Sequence, residues 1–166
     1  MKKLIRIALT LIVWHLSSSA WAQSILPELS GPDIKTHWQF SPYTLHYSYD
    51  VEHRPVKSVG LEREHADGKL DGLVYFSNSF GQESAYFYPW GGIYKNIFGV
   101  QPLSFKWTAG VLYGYKPPFE HKVPMNYKGF SPGAIIAFAY KFNSGWEAQV
   151  DMLGTAALMF QVNVPY

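Results

Sequence analysis

Few residues in this chain could do chemistry. His46 and the pair Asn78-Ser79 supply an imidazole, a carboxamide and a hydroxyl, the minimum kit for moving an acyl group. An imidazole takes the proton from an attacking hydroxyl and later returns it. The Ser79 hydroxyl then serves either as the nucleophile or as a donor to the developing oxyanion. Asn78 can orient the histidine or stabilise the oxyanion, but an amide cannot supply the charge of a carboxylate partner. Histidines and serine-rich turns are also ordinary solvated rim groups, so residue types alone leave both readings open. His53 competes with His46 for the role of base. The histidines show no metal-ligand spacing and cysteine is absent, so no metal or other cofactor is expected.

Strands must hold these groups in place. Leu70 to Phe76 reads as an apolar strand that stops abruptly at Ser77-Asn78-Ser79, with a loop from Ser79 to Ser84. From Tyr43 the pattern has a period of two. Tyr43, Leu45, Tyr47, Tyr49 and Val51 alternate with Thr44, His46, Ser48 and Asp50, which puts His46 on a polar face. Glu52 to Pro55 makes a short loop. Val59 and Leu61 then oppose Ser58, Gly60, Glu62 and Glu64, and Asp67-Gly68 signals a hairpin. Ala85 to Phe98 predicts a strand that is bulged or locally unpaired at Pro89 and Gly91-Gly92. Leu103 to Tyr115 alternates most clearly, with Tyr113 and Tyr115 on the same face as Leu103, Phe105 and Trp107. After a long loop at 116–129 come Gly133 to Phe142, Trp146 to Met152 and a last strand closing at Tyr166, for a total of about eight strands.

Composition narrows the class. Lys2, Lys3 and Arg6, the apolar run Ile7 to Leu16 and the small-residue site Ala20-Trp21-Ala22 predict a signal peptide over 1–22. Its apolar run falls short of the roughly 20 residues a spanning helix needs. Residues 23–41, with Pro27, Gly31 and Pro32, read as an irregular N-terminal periplasmic segment with one helical turn near Ile34 to Trp38. That leaves 42–166 as the barrel domain. The 14 Lys and Arg against 12 Asp and Glu become eleven against twelve once the signal is removed, so no basic field invites nucleic acid. Aromatic residues make up 17% of the chain, more than a soluble domain exposes, and they suit the two girdles of a membrane barrel. The expected fold is all-β: an eight-stranded antiparallel transmembrane β-barrel with a short N-terminal segment, set in the outer membrane bilayer. A soluble lipocalin-like barrel shares the period with its apolar face inside. Glu62, Glu64, Lys106, Glu147 and Asp151 on the inward face, and the aromatic terminus Tyr166, favour lipid outside.

Over most of its mature length the chain resembles the lipid A palmitoyltransferase (PagP) family. The resemblance is carried by the order and spacing of short pieces. They are the His46 strand running to Tyr49-Asp50, Val59-Gly60-Leu61-Glu62-Arg63, Asp67-Gly68-Lys69 and Gly72-Leu73. The rim Phe76-Ser77-Asn78-Ser79, then Thr108-Ala109-Gly110-Val111 and Leu153-Gly154, complete the set. It implies an outer-membrane barrel, expected here as a monomer, that moves a palmitoyl-type chain from a phospholipid acyl donor to a hydroxyl of the lipid A acceptor. By this matching the family's catalytic histidine falls on His46 and its serine on Ser79, while Asn78 stands where the family has aspartate. Family members measure acyl length in an apolar well, for which Gly92, Gly110, Ala137 and Ala139 are candidate lining residues. They admit lipid sideways where prolines loosen strand pairing, and Pro89 and Pro132 are candidates for that. The alternative is a non-catalytic small barrel, structural or lipid-binding, in which Asn78 marks lost chemistry.

Overall fold

A strand with alternating character can hide only one of its faces, so a sheet of such strands curls until that face is enclosed. The computed structural model describes residue 29 and residues 31–166; the expected signal peptide and residues 23–28 lie outside the described residues. It is an all-β closed barrel of eight antiparallel strands, each hydrogen-bonded to its neighbours in chain order, with the first closing on the last. The strands are β1 (Ile34–His46), β2 (Lys57–His65), β3 (Leu70–Ser77), β4 (Glu83–Lys95), β5 (Leu103–Tyr113), β6 (Phe130–Lys141), β7 (Glu147–Leu153) and β8 (Ala157–Pro165).

The polar face is the enclosed one. Glu62 and Glu147 are 2% and 4% exposed, whereas Leu73 and Phe87 are each 53% exposed. That inverts the usual arrangement of a soluble protein. The outward rings form two belts. Tyr43–Phe160 and Tyr113–Phe130 pair near one end, Tyr94–Phe105 and Trp38–Tyr166 near the other. The lumen itself is layered. Towards the end that carries the 47–56, 78–82, 114–129 and 154–156 connections, here called the mouth, Val74, Tyr86, Phe76, Leu112 and Ile135 pack together. Towards the short-turn end the filling is ionic and amide. Lys106 Nζ lies 2.8 Å from Glu62 and 3.0 Å from Glu147. Asn163 donates to Gln149 at 2.8 Å, and Gln161 donates to Asn163 at 2.9 Å.

Two local expectations are corrected. Ile34 to Trp38 forms no helical turn; it begins β1, because pairing with β2 from Ile34 and with β8 from His37 satisfies backbone groups that one turn of helix would leave exposed. The strand also stops at His46 rather than running to Val51. Its alternation changes phase midway: His37, Gln39 and Ser41 are buried inside, yet Thr44 and His46 are the later inward residues. The cause is one extra residue at Ser41-Pro42, where β1 advances three positions against two on β8. Ser41 Oγ fills the kink by donating to the Phe160 carbonyl at 2.8 Å. The bulge expected at Pro89 is present, between Phe87 and Trp90.

Candidate active site

His46 ends β1 at the mouth, and the Pro42 bulge turns it inward; without the extra residue its side chain would face outside. Ser79 lies two residues beyond the end of β3. The intervening strand, β2, begins only at Lys57, so the tops of β1 and β3 approach each other over its end. There His46 Nε2 and Ser79 Oγ are 2.7 Å apart, a short hydrogen bond. The backbone holds the pair together, since the Arg54 N–H donates to the Ser79 carbonyl at 2.8 Å.

Asn78 takes a different place from the one expected. Its side chain is fully buried, and its Oδ1 accepts from the backbone N–H groups of Phe80 and Gln82, each at 3.0 Å. Its amide nitrogen points to Gln82 Oε1 at 3.4 Å. The carboxamide is thus committed to the turn that presents Ser79, as Asn side chains commonly are. Asn78→Ala would orphan two buried donors and is expected to cost about 2 kcal/mol in unfolding free energy. Asn78→Asp keeps the oxygen that accepts from both N–H groups and should fold within about 1 kcal/mol of the parent. Urea titrations of the two variants check this, and equal losses would contradict the assigned role.

Two further groups surround the dyad. The His53 ring lies against the His46 ring, with centroids 4.1 Å apart and planes inclined at 31°. Tyr115, expected on the outward face of its strand, instead has its hydroxyl beside the Ser79 side chain. β5 ends at Tyr113, and Gly114 at φ 136° breaks the alternation, which turns Tyr115 inward. Burial raises the Tyr115 phenol above its ordinary value. Alternation alone hides this contact, although the Gly between two tyrosines was the available signal.

The 116–129 loop folds back over these groups. Phe119 stacks on Phe80 at 4.3 Å, Lys122 Nζ sits 5.0 Å above the Phe80 ring, and Lys122 pairs with Asp50 at 3.3 Å. Gln82 fixes the loop's root, donating to the Lys116 carbonyl at 3.1 Å and accepting from its N–H at 3.0 Å. The Glu52 N–H, and after it Lys122, hold the Asp50 carboxyl below its ordinary value of 3.8. A carboxylate depressed in the folded state stabilises above its unfolded pKa and loses that stabilisation as pH falls through the folded one. The Asp50–Lys122 clasp should therefore persist at neutral pH and release only in acid. Hydrogen exchange at Phe119 and Lys122 should lose protection below that range, and Asp50→Asn should abolish the pH dependence.

The mouth end of the wall has two gaps, one beside the site and one across the barrel from it. β1 pairs with β2 only as far as Ser41, which leaves 42–46 with no strand on that side. β6 pairs with β7 only from Ile136 onward, which leaves 130–135 similarly open. Pro42 and Pro132 sit in these unpaired stretches, where a residue without an N–H removes one donor from an open edge. Pro89 marks the β4 bulge instead. Of the candidate lining residues, Ala137 faces a lumen cavity of about 30 Å³, and Ala139 is buried on the same face. Gly92 lies under the Trp107 indole, and Gly110 has the β4 bulge backbone where a side chain would go, so both serve wall packing. The cavity has room for about two waters; Tyr86, reaching over Gly133 to Thr108, fills the space above.

No family model matches the chain, and no curated protein matches it at a significant level.

Proposed function

We propose that this chain is an outer-membrane acyltransferase of the lipid A palmitoyltransferase kind, with His46 as general base and Ser79 as the essential hydroxyl. The 2.7 Å contact between His46 Nε2 and Ser79 Oγ carries the reading. The apolar exterior with its two aromatic belts supports placement in a bilayer, where a closed barrel pairs its strand edges everywhere but at the two short gaps near the mouth. Openings beside Pro42 and Pro132 suit donors and acceptors that arrive from within the membrane.

His46 serves either of two balanced routes. In the first, Ser79 Oγ attacks the donor's acyl carbon as its proton passes to His46, and the lysophospholipid oxygen leaves with that proton. The lipid A hydroxyl then gives its own proton to His46 and takes the acyl group from Ser79, restoring the hydroxyl. In the second, the lipid A hydroxyl attacks the donor directly as His46 takes its proton, the Ser79 O–H supports the oxyanion, and the lysophospholipid oxygen leaves with the proton from His46. The test is mass spectrometry of lipid A from a strain lacking other acyltransferases, with and without the protein expressed. A mass gain of one acyl chain is expected. Unchanged lipid A alongside a folded, heat-modifiable barrel would end the proposal.

One observation favours a second reading, a non-catalytic barrel. The upper lumen is filled by Tyr86, Val74 and their neighbours rather than hollowed into an acyl well. Under the transferase reading these side chains must move aside for an acyl chain, and the same lipid A measurement separates the two.

A further inference from the structure

We propose that His53 is the positioning residue for His46, its ring laid against the base and supplying the orienting half of what a hydrogen-bonded carboxylate does in a serine–histidine–carboxylate triad. The proposal rests on the acyl-transfer reading of His46 and Ser79. A general base works only if its ring is held so that one nitrogen addresses the reacting hydroxyl. The neighbouring side chain that could have done this, Asn78, is spent on its own turn.

The contact that holds the His46 ring is a face. His53 covers it at 4.1 Å between centroids, closer than the usual aromatic separation. His53 is itself fixed on several sides. Its backbone N–H donates to the Asp50 carbonyl at 3.0 Å, and the next residue, Arg54, donates to the Ser79 carbonyl at 2.8 Å. Its ring meets the edge of Phe80 at 5.6 Å, and Phe80 is stacked on Phe119 at 4.3 Å. Three rings, one from each of three loops, therefore form a continuous line of ring contacts that ends on His46. The same backbone link that locks His53 also locks Ser79, so both halves of the dyad are placed by one loop.

A stacked ring need not titrate to do this, so phenylalanine should replace it and alanine should not. With purified, folded protein and defined phospholipid and lipid A substrates, His53→Ala should lower kcat about 10–100-fold with little change in KM. His53→Phe should recover to within a few-fold of the parent. In detergent-micelle NMR, the ring-current displacement of the His46 imidazole protons should vanish in His53→Ala and persist in His53→Phe. Heat-modifiable gel mobility confirms that each variant is folded. If His53→Phe is as impaired as His53→Ala while the His46 displacement persists, His53 does chemistry of its own and the positioning role is overturned. Full activity of His53→Ala beside an inactive His46→Ala overturns this proposal alone. Full transfer by His46→Ala overturns the acyl-transfer reading and this proposal with it.

Discussion

His46→Ala is expected to remove acyl transfer to lipid A, lowering the rate roughly 10²–10⁴-fold, the range for loss of a general base. The barrel should survive, because His46 ends a strand and is partly exposed at the mouth rather than packed in the lumen. Ser79→Ala then separates the two routes by magnitude. Loss of a donor to the oxyanion costs about 10²–10³-fold. Loss of a nucleophile costs as much as loss of the base or more, and the double variant then loses no more than the more damaging single one. The readout is the fraction of lipid A carrying one additional acyl chain, measured at matched expression. If both single variants still add the chain, the enzyme assignment is lost, whatever becomes of the barrel.

Lys106→Met is expected to produce the largest loss of stability. The Lys106 ammonium is enclosed between the Glu62 and Glu147 carboxylates, at 2.8 Å and 3.0 Å, with all three side chains no more than 5% exposed. Removing the cation leaves two buried anions facing each other, and breaking such a pair costs about 3–5 kcal/mol. Neutralising the whole group should restore much of that, since apolar or neutral replacements of a complete buried ion cluster are often harmless. Urea unfolding of the micelle-folded protein, followed by tryptophan fluorescence, compares Lys106→Met with the triple variant Glu62→Gln, Lys106→Met, Glu147→Gln. A single variant within about 1 kcal/mol of the parent would mean that lumen water, rather than the protein, solvates these carboxylates. The two predictions probe separate layers of one barrel. Lys106 faces Ala137 across β5 and β6, well down from the mouth, whereas His46 faces the loops.

Much of this architecture could be read from alternation. Leu103 to Tyr113, Ala148 to Met152 and Leu158 to Val164 keep a strict period of two, and the polar face predicted for each is the buried one. The proline and glycines of β4 announced its bulge. The first strand misled because Pro27, Gly31 and Pro32 suggested irregular chain, while its real signal, Trp38 and Phe40 between His37, Gln39 and Ser41, was too short to outweigh them. Tyr115 misled in the opposite way, by extending a good pattern one residue pair past the glycine that ended it.

The order of side chains by itself determined that this chain folds as strands, which face each strand encloses, and that an imidazole and a hydroxyl belong near the same end. These follow from period and spacing, which are local properties. Tertiary structure alone decided that His46 touches Ser79, that Asn78 braces a turn, and that His53 and Tyr115 join the site. Each depends on register between distant strands, where a single inserted residue reverses every side chain beyond it. Pro42 is that insertion: alternation from Tyr43 already put His46 on the polar face, and pairing with β8 shows how a strand that begins at Ile34 in the opposite phase arrives there.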